Sequence, residues 1–240
     1  MGWLLLLFIQ SRPLIRLCRY SLTCATLKKG RLAVFFPPRV ADRIQGEAVL
    51  AECQQDVDVL ARWFGVEPGR ELNIYLFERE EDVGRLFGSW FGAYAITRAN
   101  AVLVPVTASF RPLLRHELTH LFATRIGSML PRLKSEGLAV WFQCDGPPQL
   151  GDAARKLIGN GVISMLLNTV RFGCADTWLA NYEIAASFTD FLIQRYGWSA
   201  YLEFYRSANQ WNFPRALRRA FNLTLFEAEA LWLRFLEAKV

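Results

Sequence analysis

The stretch AVLVPVTASFRPLLRHELTHLFATRIG, residues 101–127, decides how this chain is organised. Its first six residues are apolar and predict a strand over 101–106, and the remainder predicts a helix. That helix carries both histidines of the chain, His116 and His120, with Glu117 between them. Because four residues make a little over one helical turn, we expect both imidazoles on the same side of the helix.

Two imidazoles with this spacing suit one zinc ion held by two ring nitrogens. Glu117 lies between the two histidines in the chain and is expected to reach a water molecule on the metal. The pattern therefore predicts Zn²⁺ as cofactor, His116 and His120 as ligands, and Glu117 as general base. A chance match to the pattern on a core helix is the alternative that the sequence leaves open.

A catalytic zinc ion takes three protein ligands and leaves one position for water. Since the chain has no further histidine, a carboxylate is the best remaining ligand, and Glu136 follows His120 by sixteen residues. Glu136 is a charge within the apolar segment 133–142, and Gly137 and Ala139 beside it are small enough for a close helix contact. A metal would remove the cost of burying this carboxylate. In the open alternative, Glu136 lies on the solvent face of an amphipathic helix.

The regions on either side of this segment differ in their patterns. Strands are predicted at 31–36 and 71–77, and helices at 40–64 and 78–87, while Pro105 indicates that 101–106 is an edge strand. After residue 150 the pattern is almost entirely helical, with helices at 152–171, 178–196, 198–209, 213–221 and 224–238. We predict an α+β fold: a small N-terminal mixed sheet with helices, followed by a helical C-terminal lobe.

The formal charge of +6 is concentrated in an N-terminal arm. Residues 1–41 contain 7 of the 28 basic residues and no acidic residue, which leaves 21 basic and 22 acidic residues in the other 199. Because the excess does not belong to a folded face, we expect no nucleic-acid partner. The predicted organisation is a basic, apolar arm at 1–30 and one domain at 31–240.

An apolar run, Trp3 to Ile9, opens the arm. It is too short to span a bilayer as a helix, and it lacks the preceding positive charge of a secretory signal. Two interpretations remain open: a helix that contacts a membrane surface, and a leader or a mis-assigned start. The compartment, membrane-associated or exported, is open for the same reason.

The five cysteines show no Cys-x-x-Cys pair. An odd number at irregular spacing argues against a disulfide framework and against zinc binding by thiolates. We expect them to be small buried apolar residues.

The motif segments 116–120, 130–132 and 135–140 resemble the gluzincin metallopeptidases, in particular the small bacterial peptidase MA-like domains related to thermolysin. The likeness continues at 182–188, 195–197 and 223–236, so it covers roughly residues 31–237. The segments around the histidines and Glu136 carry most of it.

This resemblance implies a zincin-like fold, with His116, His120 and Glu136 as zinc ligands and Glu117 as the catalytic base. It also implies that an extended peptide substrate lies along strand 101–106.

Two positions depart from the family pattern. Leu133 stands where the family often has tryptophan, and Gln143 stands where it often has an acidic residue that helps to orient a histidine. Related peptidases place a tyrosine or histidine to stabilise the oxyanion. Because no histidine is left, Tyr182 is the candidate, and the alternative is an amphipathic aromatic at a helix start.

Three functional hypotheses follow. The first is a zinc-dependent peptidase that hydrolyses peptide bonds in a peptide or protein substrate. The second is a catalytically inactive zincin-fold binding module, and the third is a membrane-associated processing module. The presence of Glu117 favours the first, because a binding module has no need of a general base. The oligomeric state is left open.

Overall fold

A computed structural model describes residues 15–41, 45–87, 92–107, 110–144, 148–159, 161–168 and 178–238. Contacts between residues divide the chain into two compact units, Met1–Leu121 and Phe122–Val240. The fold is α+β as predicted, with the sheet in the first unit and helices throughout the described part of the second.

The first unit is built on a mixed five-stranded sheet in the order β1-β2-β3-β5-β4. Strands β2, β3 and β5 are parallel, and β1 and β4 pair antiparallel at the two ends. Its elements in chain order are α1 (residues 15–21), β1 (Ala25–Lys29), β2 (Leu32–Phe36), α2 (Pro38–Ala41), α3 (Gly46–Phe64), β3 (Leu72–Phe77), α4 (Glu80–Phe87), β4 (Tyr94–Ile96), β5 (Ala101–Pro105) and α5 (Phe110–Ala123).

Both faces of this sheet are covered, which explains the continuous apolar runs of its central strands. On one face, Phe77 and Leu103 pack in a cluster with Leu17 of α1 and Val83 of α4. On the other face lies α3, whose first residue, Gly46, is so close to the sheet that an added Cβ would meet a side chain of β1 at 2.8 Å. Alternate side chains of each strand therefore point to opposite faces of the sheet.

Part of the predicted N-terminal arm belongs to the sheet unit. Strand β1 pairs with β2, Leu17 is buried, and the Tyr20 hydroxyl donates a hydrogen bond of 2.6 Å to the carbonyl oxygen of Leu76. The run Trp3 to Ile9 lies outside the described residues. In the part of the chain that the structure describes, no helix combines the length and apolar character that a bilayer crossing requires.

The prediction that 101–106 forms an edge strand is wrong. Strand β5 lies between β3 and β4, so β4 is the last strand at that end. The proline is tolerated because β4 pairs with Ala101, Val102 and Leu103 alone, so Pro105 lies beyond the part of β5 that β4 covers.

The second unit consists of helices and their connections in its described part. The long helix predicted at 152–171 is two helices, because the connection passes through Gly159 and Gly161, and Gly161 has a φ of +87°. Similarly, the helix predicted at 40–64 is α2 and α3. The helices of the second unit are α6 (Arg132–Gln143), α7 (Asp152–Leu157), α8 (Val162–Asn168), α9 (Trp178–Tyr196), α10 (Trp198–Ser207), α11 (Phe213–Phe221) and α12 (Leu225–Glu237).

Candidate metal centre

Helix α5 presents the two histidines on one side because its other side is apolar. Leu114 and Leu118, one turn apart, are fully buried. His116 and His120 lie about half a turn around the helix from these leucines, with the same spacing of four residues. The apolar side therefore sets the direction in which both imidazoles project.

The two imidazoles converge, as the spacing predicts. Their Nε2 atoms are 3.2 Å apart, and the ring planes are nearly perpendicular at 82°. His120 is buried and His116 is partly buried. Two nitrogen atoms that face each other at this distance can share one proton or bind one cation.

Glu136 of α6 completes a group of three potential ligands. The ligand atoms of His116, His120 and Glu136 all lie within 4.8 Å of one another, so this group could hold a metal ion. Glu136 is 7 % exposed, which excludes the alternative that it lies on a solvent face. The Arg132 guanidinium is 3.9 Å from the Glu136 carboxylate and is itself largely solvated.

The donor set fits zinc. Two imidazole nitrogens and one carboxylate oxygen are a ligand combination of catalytic zinc sites. Two nitrogens on one tetrahedral zinc ion, each about 2.0–2.1 Å from the metal, lie about 3.3 Å apart, and the Nε2 atoms of the two histidines already have a separation of 3.2 Å. Glu117, between the two histidines in the chain, is also buried, at 8 % exposed.

A buried carboxylate of α3 holds α5 in place. Asp56 is 2 % exposed, and its Oδ1 accepts hydrogen bonds from Arg115 Nε at 3.0 Å and from Arg111 Nη2 at 3.2 Å. The two arginines are one turn apart on α5, directly before the histidines. This contact restrains the rotation and the axial position of the histidine helix.

The close packing of α6 against α9 depends on Gly137, next to Glu136. A Cβ atom at Gly137 would lie 2.5 Å from the carbonyl oxygen of Ala185 and 2.6 Å from Thr189 Oγ1. The prediction that a small residue beside the ligand permits close helix packing is therefore confirmed for Gly137.

Sequence reasoning did not single out Lys134 and Tyr205, which lie close to Glu136. Lys134 is 2 % exposed, and its Nζ donates to the carbonyl oxygens of Tyr205, at 2.8 Å, and Ala208 and lies 4.2 Å from the centre of the Tyr205 ring. Burial lowers the pKa of Lys134 to about 8. The pattern that identified Glu136, a charge within an apolar helix, applies equally to Lys134.

Tyr182, the candidate for oxyanion stabilisation, lies in the second turn of α9 and is partly exposed. It precedes Ala185 by three residues and Thr189 by seven, so it shares the side of α9 that faces α6. Its catalytic role stays a prediction. The two positions that depart from the family pattern, Leu133 and Gln143, lie near the two ends of α6.

The expectation that the cysteines are buried is confirmed for Cys53 and wrong for Cys18, which is exposed. Cys24 and Cys144 are partly buried, and none of these four described cysteines forms a disulfide. Cys174 lies outside the described residues.

No known protein-family model matches the chain, and no curated protein matches it either. The likeness to gluzincin peptidases therefore stays a prediction from the motif residues.

Proposed function

We propose that this protein is a zinc-dependent peptidase that hydrolyses peptide bonds, with Glu117 as general base. The observation that carries the proposal is the convergence of His116, His120 and Glu136, with ligand atoms within 4.8 Å of one another, next to a second buried glutamate. A structural zinc site usually takes four protein ligands, whereas three ligands leave one position for water, and hydrolysis also needs a base.

In this proposal the zinc ligands are Nε2 of His116, Nε2 of His120 and a carboxylate oxygen of Glu136. The chemistry that zinc would supply there is polarisation of a carbonyl group and a lower pKa, towards neutrality, for a water molecule. The Glu117 carboxylate accepts the proton of the attacking water and later delivers it to the leaving amine. Burial of Glu117 and Glu136 favours this chemistry, because charge interactions are stronger where water is excluded.

The peptide substrate is proposed to bind along β4, the last strand of the described sheet, instead of along β5. Strand addition gives main-chain hydrogen bonds to a substrate of any sequence. Residues of β4 are partly or fully exposed, whereas all of β5 is buried.

The test is hydrolysis of a peptide library by the zinc-loaded full chain, with and without a chelator. Wild-type cleavage should stop when zinc is removed. The Glu117→Gln substitution should lower kcat about 10²- to 10⁴-fold, because the proton acceptor is lost. Glu52→Gln, an exposed glutamate on α3, is the matched control and should leave kcat unchanged.

Two results would reject the proposed peptidase activity. If Glu117→Gln cleaves peptides at the wild-type rate, the proposed general base is wrong. If the wild-type chain binds zinc and cleaves no peptide in the library, the inactive binding module becomes the better explanation.

A further inference from the structure

Two aromatic side chains of the second unit are almost completely exposed. Trp211, between α10 and α11, is 87 % exposed, and Phe226, in the first turn of α12, is 76 % exposed. Tryptophan is usually among the most buried side chains when averaged over its surface. Leaving two large rings in water forgoes their burial and makes this part of the second unit a candidate contact surface.

The turn that carries Trp211 is held by two asparagines. The side-chain oxygen of Asn209 accepts hydrogen bonds from the backbone N–H groups of Trp211, at 2.9 Å, and Asn212, at 3.2 Å. In return, the side-chain oxygen of Asn212 accepts from the N–H of Asn209 at 2.7 Å. The tryptophan is therefore presented on a defined turn.

Helix α11, which follows this turn, has an outer face made of proline and arginine. Pro214, Arg215, Arg218 and Arg219 are exposed, and the helix contains no acidic residue. The opposite face is buried and is formed by Phe213, Ala216, Leu217 and Phe221.

The exposed rings and the arginines of α11 are linked by the chain and by one ion pair. Trp211 lies in the turn directly before α11, which carries the arginines. Arg218 Nη1 lies 3.5 Å from the carboxylate of Glu227, the residue after Phe226. We call this set the α11 surface; its members are Trp211, Pro214, Arg215, Arg218, Arg219 and Phe226.

We propose that the α11 surface binds the face of an anionic lipid membrane. Guanidinium groups pair well with the phosphates of lipid headgroups, and tryptophan and phenylalanine rings favour the boundary between headgroups and acyl chains. In the chain, the three exposed arginines of α11 lie between Trp211 and Phe226. This arrangement suits a broad, fluid anionic layer better than a protein interface, whose anchors cluster at the centre of one patch.

This inference does not depend on the metal centre, and it involves different residues from the N-terminal arm. The arm has basic and apolar residues of its own, so wild-type binding to vesicles would not by itself identify the α11 surface. Substitutions within the α11 surface, made in the full chain, distinguish the two.

The test is co-sedimentation of the full chain with vesicles of phosphatidylcholine alone and of phosphatidylcholine mixed with phosphatidylglycerol. We expect binding to the anionic vesicles that weakens as salt is raised. Trp211→Ala should weaken binding about tenfold, as should Phe226→Ala, because each removes one large apolar contact. Arg215→Glu combined with Arg219→Glu should weaken binding at least about 25-fold, at about fivefold for each arginine lost near the surface.

Matched controls distinguish an effect of the α11 surface from an effect of net charge or of any exposed tryptophan. Trp63→Ala removes a tryptophan that is 41 % exposed on α3, and Arg62→Glu with Lys156→Glu makes the same change of net charge outside both the α11 surface and the N-terminal arm. Both should bind anionic vesicles as the wild type does. Circular dichroism and thermal melting of every variant establish that it is folded.

Several outcomes would overturn the proposal. The first is wild-type binding that is no stronger to anionic than to neutral vesicles. The second is that variants of the α11 surface bind as the wild type does. The third is that the charge-control variant loses as much affinity for anionic vesicles as the double arginine variant. Binding to soluble polyglutamate in preference to vesicles would identify an acidic protein partner instead. Self-association that Trp211→Ala abolishes would identify a second copy of this chain.

Discussion

The short distance between the two imidazoles limits what His116 and His120 can do. Nitrogen atoms 3.2 Å apart can share a single proton or bind a single cation. Glu136, a member of the same ligand group, and Glu117, between the histidines in the chain, are both buried and are negatively charged when ionised. A divalent cation would balance these charges, and burial of the carboxylates without one would be costly. The residues therefore favour a metal over a simple hydrogen bond.

Cys53 of α3 offers a pH-dependent test of the first unit. Burial, followed by the nearby charge of Asp56, raises the pKa of the Cys53 thiol to about 12. At pH 8 we expect iodoacetamide to modify the exposed Cys18 in the native protein and to leave Cys53 unmodified, because the thiolate is the reactive form. Mass spectrometry of native and urea-unfolded samples measures this difference.

The raised pKa of the Cys53 thiol also predicts that the protein becomes less stable at high pH. Between about pH 9 and pH 12 the unfolded chain loses the Cys53 proton and the folded chain keeps it, so the free energy of unfolding decreases as pH rises. The Cys53→Ala substitution should reduce this slope in urea titrations. Equal slopes in both proteins, or rapid native alkylation of Cys53, would contradict the buried position of the thiol.

The residues of the candidate site differ in how far the sequence could identify them. His116 and His120 belong to one helical turn, so the helical period alone predicts their convergence, and the structure confirms it. Glu136 comes from another helix and was identified from the ligand chemistry of zinc. Lys134 and Tyr205 were missed because their contact joins positions 71 residues apart, which no local pattern reports.

Helix α6 is held at its position by close contact with α9. Gly137 allows this contact, since a Cβ atom there would lie within 2.6 Å of both the Ala185 carbonyl oxygen and Thr189 Oγ1. We predict that Gly137→Ala lowers the free energy of unfolding by about 1–3 kcal/mol, because the helices must move apart. It should also weaken zinc binding, because Glu136 is the preceding residue.

Gly159→Ala is the matched control for this prediction. An added Cβ at Gly159 meets nothing within 4 Å, and this glycine does not have a positive φ. We expect its stability to be unchanged or slightly higher than that of the wild type. If urea titrations find Gly137→Ala as stable as Gly159→Ala, the close contact between α6 and α9 does not exist in solution.

The position of α5 depends on the ion pairs of Asp56 with Arg111 and Arg115. Asp56→Asn keeps the size of the side chain and removes its charge, and we predict that it lowers the free energy of unfolding by about 2 kcal/mol. The cost is moderate because both arginines are partly exposed and regain water. Asp58→Asn, an exposed neighbour on α3, should change stability by less than about 0.5 kcal/mol. Equal urea midpoints for Asp56→Asn and Asp58→Asn would show that the ion pairs of Asp56 do not stabilise α5.

Errors in the predicted elements arose where tertiary pairing overrides local pattern. Strand β1 lies in a segment with no alternation to mark it, since four of its five residues are exposed. The edge position of 101–106 was inferred from Pro105, but strand order depends on partners distant in sequence. By contrast, the limits predicted for α9 and α11 agree with the structure, because end residues mark them: Gly197 follows α9, and Pro214 lies in the first turn of α11.

The order of strands and helices along the whole chain follows the order of the sequence patterns. Alternating strands and helices come first and helices follow, so the α+β class was predictable from the order of the patterns. The basic N-terminal segment was expected to be separate, yet its described part, residues 15–29, contributes a helix and a strand to the first unit. The charge pattern could not predict that this segment belongs to the first unit, because few of its residues, such as Leu17, are buried.

Zinc stoichiometry of the full chain and its ligand variants tests the central claim most directly. The chain is dialysed against buffered zinc, and bound metal is measured by plasma mass spectrometry. We predict about one zinc per wild-type chain, retention of zinc in Glu117→Gln, and a loss of at least tenfold in affinity in His116→Ala, His120→Ala and Glu136→Ala. Folded Glu136→Ala protein that binds zinc as tightly as the wild type, or a wild-type chain that binds none, would contradict the account.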